Sequence, residues 1–161
     1  MAVLMTNKPP VAVVLASYNG ADFISQQLDS ILVQSWPCDV YIFDDASTDN
    51  TVEVIKDRYL HYDNFFLTVN DKNIGYVKNF EQGINKVRAL GASYIALSDQ
   101  DDVWKPNKLE QMMTALLADQ SGKPLLAFSD LHMVDKNLVT MHQSYLNYRN
   151  YSPRWLNSPY L

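Results

Sequence analysis

Short apolar runs alternate along this chain with longer segments of helical periodicity. Four apolar runs are each followed by a segment whose apolar residues recur every three or four positions, and a fifth run follows the last of these segments. The predicted strands cover residues 11–16, 40–43, 65–69, 94–97 and 125–128. Strands that alternate with helices favour a mainly parallel sheet with helices on both faces. The predicted fold class is therefore α/β with a Rossmann-like sheet.

Helix starts are indicated by short polar side chains. Asp22 is placed to cap the first helix, which is predicted to run to about Gln34. Asn50 and Glu53 have the spacing of a capping box for the second helix. Beyond about Val139 the periodic pattern gives way to a polar tail rich in tyrosine.

Carboxylates are concentrated where the predicted strands end. Asp44 and Asp45 follow the second strand, and Asp99, Asp101 and Asp102 follow the fourth. The carboxyl ends of parallel strands meet at one edge of a sheet, where ligands of such folds bind. Carboxylates brought together there repel one another unless a cation joins them. A single Asp would more often be a cap or turn residue, but the set as a whole predicts a site for Mn²⁺ or Mg²⁺.

The phosphate-binding signatures of other α/β folds are not found in the sequence. No G-x-G-x-x-G motif follows the first strand, and there is no Walker A sequence. If the site takes a diphosphate, a metal must neutralise much of its charge. The net charge of −5 argues against a nucleic-acid partner.

Four segments, in this order, resemble the family-two inverting nucleotide-sugar glycosyltransferases, which have the GT-A fold. They are residues 13–20 (VVLASYNG), 43–51 (FDDASTDNT), 73–79 (NIGYVKN) and 97–102 (LSDQDD). Residues 98–104 (SDQDDVW) are most similar to the rhamnosyltransferase-like branch. The resemblance covers about residues 10–139, so it implies a nucleotide-sugar-binding core at 11–139 after a leader at 1–10.

The resemblance implies roles for individual residues. Asp101 matches the principal metal ligand of the D-x-D motif, Asp99 is its first acid, and Asp102 is a neighbouring candidate ligand. Lys78 lies on a segment that passes the ribose and diphosphate, although it could equally be a solvated helix residue. The implied nucleotide-binding set is Ala16, Ser17, Tyr18, Asn19, Asp44, Asp45, Lys78, Asn79, Asp99 and Gln100.

The implied reaction moves a sugar from a UDP- or dTDP-linked donor to a glycan, lipid-linked or other cell-envelope acceptor, with inversion. In the family the catalytic base lies well downstream of the D-x-D motif, so we expect it outside this chain, with Asp130 a weak candidate. Residues 140–161 would begin an acceptor-side region that is otherwise missing. Their aromatic residues could pack against that region, against a second copy or around an acceptor sugar; they are Tyr145, Tyr148, Tyr151, Trp155 and Tyr160.

Other functions fit less of the sequence. A receiver-like signalling domain would carry its paired acids after the first strand, and a nucleotidyltransferase would carry a Gly-rich basic loop there. A non-catalytic module of the same fold that binds a nucleotide-sugar or a partner protein stays open, because no base is identified. Since no apolar run approaches the length of a membrane span, we expect a cytoplasmic protein, with peripheral contact at the inner face of the membrane left open. The oligomeric state is not predicted.

Overall fold

The computed structural model describes residues 8–151, so Trp155 and Tyr160 lie outside the described residues together with positions 1–7 of the predicted leader. The chain divides into two compact units, residues 1–114 and residues 115–161. Among the described residues, no helix is long and apolar enough to cross a membrane.

The first unit is built on a parallel sheet of four strands. They are β1 (Val11–Ser17), β2 (Cys38–Asp44), β3 (Phe65–Val69) and β4 (Ile95–Ser98). Their order in the sheet is β3-β2-β1-β4, and every neighbouring pair is parallel. The four strands predicted from residues 11–97 are thus confirmed, with ends shifted by at most two residues.

Four helices connect or follow these strands. They are α1 (Ile24–Leu32), α2 (Thr51–Tyr59), α3 (Tyr76–Ala89) and α4 (Lys108–Ala118). Helix α3 approaches the sheet closely at Gly83, where a β-carbon would overlap Val14 and press on the ring of Phe43. The buried residues of β1 and β2 form the centre of this unit, since Val13, Val14 and Ile42 are fully buried. A continuous apolar strand such as β1 is typical of a sheet covered on both faces.

The predicted cap residue is wrong for α1 and correct in position for α2, and neither helix has the expected side-chain cap hydrogen bond. Helix α1 is preceded by Phe23 in the cap position, and Asp22 gives it no side-chain cap. Asn50 occupies the cap position of α2, but its side chain accepts no cap hydrogen bond. The neighbouring Asp49 accepts from the backbone N–H of Thr51 instead, at 3.0 Å. Asp49 also accepts from the backbone N–H of Ala21, so it joins the start of α2 to the loop before α1.

The second unit contains only short elements among its described residues. A two-stranded antiparallel hairpin joins β5 (Met133–Val134) to β6 (Thr140–His142), and a short helix α5 (Tyr145–Tyr148) follows. The strand predicted at residues 125–128 is wrong, because this segment pairs with no other strand and Leu126 is 88% exposed. An apolar run indicates burial but does not by itself supply a backbone partner. The hairpin and helix also show regular structure beyond Val139, where only a polar tail was expected.

Candidate functional site

The strand order places a crevice at the carboxyl end of β1. The chain proceeds from β1 outward through β2 and β3, and then returns to pair β4 with the other side of β1. Such a reversal of strand order is where open α/β sheets bind ligands. A pocket of about 400 Å³ lies at this edge. Its lining residues are Ala16, Ser17, Tyr18, Asp45, Asn73, Gly75, Tyr76, Asn79, Asp99, Gln100 and Asp101.

The loop after β1 is held in place by its neighbours on both sides. The backbone N–H of Tyr18 donates to the Gln100 Oε1 at 2.8 Å, and the Gln100 Nε2 donates back to the Tyr18 carbonyl at 3.1 Å. On the other side, the Asn19 Oδ1 accepts from the backbone N–H of Thr48 at 2.8 Å. Gln100 lines the pocket as predicted, but both ends of its amide are used to hold the Tyr18 backbone. Asn19 does not line the pocket and serves to join the two loops.

Asp44 is buried beside the pocket and does not line it. Its side chain is fully buried. One carboxylate oxygen accepts from the hydroxyls of Ser17 (2.9 Å) and Ser47 (2.6 Å), and the other accepts from the Ser47 backbone N–H (2.8 Å). Because these donors occupy both oxygens, Asp44 fixes the loop after β2.

Asp45 lines the pocket, yet its carboxylate is also fully engaged. Its Oδ1 accepts from the Asn70 side-chain Nδ2 and the Ile74 backbone N–H, both at 2.9 Å, and its Oδ2 accepts from the Gly75 backbone N–H at 2.8 Å. With 2% of its surface exposed, Asp45 holds the loop between β3 and α3 against the end of β2. That loop carries Tyr76 to the pocket, where the tyrosine is 76% exposed.

Two predicted site residues in the first turn of α3, Lys78 and Asn79, have different environments. Asn79 is buried and donates through Nδ2 to the Phe43 carbonyl at 2.7 Å, while its Oδ1 accepts from the Asn70 Nδ2 at 3.1 Å. It therefore anchors the floor of the pocket. Lys78 is exposed and does not line the pocket, which favours the solvated helix residue of the two interpretations.

The acidic turn after β4 brings two of its three carboxylates to the pocket. Asp99 and Asp101 line it, whereas Asp102 does not. Partial burial and the charge of Asp101 raise the pKa of Asp99 above its ordinary value. The pKa of Asp102 is raised by burial and by both neighbouring acids, although the Lys108 ammonium opposes the shift. Among residues 8–151 no group of three or more His, Cys, Asp or Glu side chains converges as a ready metal site.

The donor set nevertheless fits a cation shared with a ligand. Magnesium is typically bound by one or two carboxylates, with the remaining positions filled by substrate phosphates and water. Asp99 and Asp101 supply two carboxylates. Burial and, after it, the charge of Asp101 raise the pKa of Asp99, and a bound cation would offset both effects by stabilising the ionised carboxylates. Asp102 is better described as a charge partner of Lys108, whose ammonium lies 4.5 Å from the centre of the Trp104 ring.

The structure adds Asn73, Gly75 and Tyr76 to the predicted site residues. All three lie in the segment 73–79, of which only Lys78 and Asn79 were expected in the site. Gly75 has a φ of 85°, a backbone conformation that favours glycine, and it allows the chain to turn into α3. A glycine just before a helix start, with Asn73 two positions before it and Tyr76 directly after it, was the available signal in the sequence.

Asp130 belongs to the second unit and acts there as an anchor. Its Oδ1 accepts from the backbone N–H groups of Leu131 (2.9 Å) and Leu146 (3.1 Å). Hydrogen bonds from Ser144 and the backbone hold its pKa below the ordinary value. A carboxylate with a lowered pKa is a poorer proton acceptor, so these contacts argue against Asp130 as a general base.

Known proteins resemble this chain over most of its length. The model of Glycosyl transferase family 2 matches residues 12–149. A curated relative, the dTDP-rhamnosyl transferase RfbG of Shigella flexneri, is 37% identical over 112 residues. The match covers 67% of this chain but only 38% of that relative, so the chain spans well under half of the relative's length.

Two solved structures show the same fold. The Mannosyltransferase PcManGT from Pyrobaculum calidifontis, in complex with GDP-Man and Mn²⁺, superposes with a TM-score of 0.58 at 25% identity, covering 72% of this chain and 34% of that one. S. aureus TarS 1-349 in complex with UDP-GlcNAc gives a TM-score of 0.57 at 20% identity, with 73% of this chain and 37% of that one covered.

Proposed function

The chain belongs to glycosyl transferase family 2, and from this membership we propose that its pocket binds the nucleoside diphosphate of a sugar donor together with Mn²⁺ or Mg²⁺. We further propose that residues 11–139 form the donor-binding part of an enzyme that transfers the sugar, with inversion, to a glycan or cell-envelope acceptor. A similar protein named as a dTDP-rhamnosyl transferase supports a dTDP-linked donor, while the structures with UDP-GlcNAc and GDP-Man support UDP and GDP as alternatives.

The observation that carries this proposal is the charge of the pocket. Three aspartates line it, and no lysine or arginine is found among its lining residues. A diphosphate entering such a pocket alone would be repelled by the carboxylates. A divalent cation held by Asp99 and Asp101 would reverse the sign of the local field and allow the diphosphate to bind. Membership of the family and an acidic pocket therefore support the same ligand pair.

The exposed aromatic side chains of the pocket suit a nucleobase. Tyr18 and Tyr76 are 45% and 76% exposed and both line the pocket. Aromatic rings bind bases by stacking, which tolerates a change of base. Asp45 contributes by holding the loop that carries Tyr76, since its three hydrogen bonds go to that loop.

The chemistry of transfer divides between the cation and the protein. When bound, the cation would supply Lewis-acid stabilisation of the charge that develops on the diphosphate leaving group. Asp99 and Asp101 would hold it, and Gln100 fixes the acidic turn against the Tyr18 backbone. Inversion also needs a base that takes a proton from the acceptor hydroxyl. We assign that role to no described residue of this chain.

Thermal unfolding of the 161-residue chain with UDP, dTDP and GDP, each with and without Mn²⁺, tests the proposal. A ligand that binds only the native state stabilises it by about 2.7 kcal/mol at a concentration a hundredfold above its dissociation constant. We expect at least one nucleotide to raise the melting temperature only when Mn²⁺ is present. Asp101→Ala should abolish the rise, whereas Asp63→Ala, which removes an exposed carboxylate away from the pocket, should keep it.

The outcomes separate the proposal from its alternative. If no nucleotide shifts the wild-type melting temperature under either condition, the donor-site proposal is wrong. If a nucleotide binds with metal but no sugar is released from any nucleotide-sugar by hydrolysis on long incubation, the non-catalytic binding module becomes the better description of this chain.

A further inference from the structure

Helix α1 presents two buried polar side chains, Gln27 and Ser30, towards the acidic turn. Gln27 and Ser30 are three residues apart, which places them on one helical face, and Gln34 follows two residues after the end of the helix. Gln27 is fully buried and Ser30 is 7% exposed. An amphipathic surface helix normally buries apolar residues, so a buried glutamine needs an explanation in its hydrogen bonds.

The Gln27 amide joins three points of the turn that carries Asp99 and Asp101. With the amide oriented so that both of its ends are paired, its nitrogen donates to the carbonyl oxygen of Asp102 at 2.5 Å. Its oxygen accepts from the Trp104 indole Nε1 at 3.2 Å and from the Ser98 hydroxyl at 2.6 Å. Ser98 is the last residue of β4 and Trp104 closes the turn, so the amide spans the turn from end to end.

Neighbouring contacts strengthen the same link. The Ser30 hydroxyl accepts from the Trp104 backbone N–H at 2.9 Å. Ser98 and Trp104 are only 2% and 4% exposed. A buried amide costs free energy unless it is hydrogen-bonded, and a fully paired buried network favours one arrangement of its members. The backbone of the turn is therefore held from below, while its two lining carboxylates face the pocket.

We propose that Gln27 is a positioning residue that fixes the acidic turn so that Asp99 and Asp101 can bind a divalent cation together with the donor diphosphate. This inference rests on the proposed function. Gln27 does not line the pocket, so its effect on the cation acts through the Ser98, Asp102 and Trp104 contacts. Partners that orient metal ligands in this way commonly change metal affinity by about 10- to 100-fold when they are removed.

Gln34 offers a matched control just after the same helix. Its Nε2 donates to the Lys105 carbonyl at 2.9 Å, and its Oε1 accepts from the Leu109 backbone N–H at 3.0 Å. These contacts fix the start of α4 and do not reach the acidic turn. Gln27→Met and Gln34→Met each remove an amide of the same size, but only the first releases the turn.

The measurement is Mn²⁺ affinity, followed by the loss of the electron paramagnetic resonance signal of free Mn²⁺ as protein is added, in the presence of UDP or dTDP. We expect Gln27→Met to weaken Mn²⁺ binding by about 10-fold or more, and Gln34→Met to change it less than about threefold. Circular dichroism melts establish that both variants are folded at the assay temperature. If Gln27→Met does not fold, Ser98→Ala replaces it, since that change removes a single hydroxyl partner of the same amide.

The results distinguish failure of this inference from failure of the proposed function. If the wild type binds no Mn²⁺ with either nucleotide, the proposed function fails and the inference falls with it. If the wild type binds and Gln27→Met binds equally well, the donor site stands and the positioning role is wrong. Equal weakening by Gln34→Met would also overturn it, because the effect would then belong to the helix and not to the contact with the turn.

Discussion

Replacing Asp45 with asparagine should loosen the loop before α3 at one identifiable bond. The carboxylate accepts two hydrogen bonds at Oδ1 and one, from Gly75 at 2.8 Å, at Oδ2. The asparagine amide keeps the most hydrogen bonds when its oxygen takes the place of the Asp45 Oδ1. Its NH₂ group then faces the Gly75 N–H in place of Oδ2. One bond to a charged acceptor is lost, worth about 1.5–3 kcal/mol, and two others become neutral ones. Since a neutral bond has about half the strength of a charged one, we expect a total loss of about 3–6 kcal/mol in the free energy of unfolding.

Amide hydrogen exchange tests this prediction, because it measures the protection of each backbone N–H separately. A loss of about 1.5–3 kcal/mol at one bond corresponds to roughly 10- to 150-fold faster exchange, at about 1.4 kcal/mol per tenfold. The Gly75 N–H also donates to the Asn73 Oδ1 at 3.1 Å and keeps that weaker acceptor, so we expect the lower end of this range. The Gly75 amide should still accelerate more than the Ile74 amide, whose acceptor oxygen is retained. Asp63→Asn makes the same change of charge at an exposed position and should leave both amides unchanged. Unaltered protection of Gly75 in Asp45→Asn would refute the claim that Asp45 holds this loop.

Three further predictions concern separate parts of the first unit. Tyr76→Ala should raise the dissociation constant for the nucleotide about 5- to 150-fold, because about 1–3 kcal/mol of stacking is lost, while Tyr76→Phe should keep the affinity. Calorimetric titration measures this constant, and an unchanged constant in Tyr76→Ala would show that Tyr76 does not stack on the base. Gly83→Ala should lower the free energy of unfolding, measured by urea denaturation, by about 1–2 kcal/mol. The overlap with Val14 and Phe43 outweighs a gain of about 1 kcal/mol in helix propensity. Glu81→Ala, on the exposed side of α3, should have little effect. Burial and the charge of Asp39 raise the pKa of Cys38 to about 11, so its thiol should stay protonated and resist iodoacetamide at pH 8 until the protein unfolds; rapid alkylation of the native chain would contradict this.

The strands of the first unit could be predicted because their environment is simple. A run such as that of β1 is apolar at every position, and a strand covered on both faces requires this. The segment 125–128 has a similar composition but pairs with no strand among the described residues, so composition alone was insufficient there. Pairing depends on neighbours that a local pattern does not contain. The capping contact of α2 was wrong for a related reason, since Asp49 accepts the hydrogen bond although Asn50 occupies the predicted cap position.

The candidate site was predicted better in its location than in the roles of its residues. The carboxyl edge of the sheet and the acids Asp45, Asp99 and Asp101 were expected, and all three line the pocket. The buried amide of Gln27 was not expected, because the apolar stripe of α1 dominates its periodicity. A polar residue between apolar ones is ordinarily solvated, and only the fold shows that this one faces the Ser98–Trp104 turn.

The aspartates at the ends of β2 and β4 differ in how their carboxylates are used. Both oxygens of Asp44 and of Asp45 accept hydrogen bonds from the chain itself, so these residues build the rim and its loop. The carboxylates of Asp99 and Asp101 both line the pocket, and partial burial, together with the charge of Asp101, raises the pKa of Asp99. The same side chain thus has two different roles, because hydrogen-bond donors that stabilise the charge of a carboxylate leave less to be gained from binding a cation. The cation proposed here belongs at the turn after β4, where that gain is greatest.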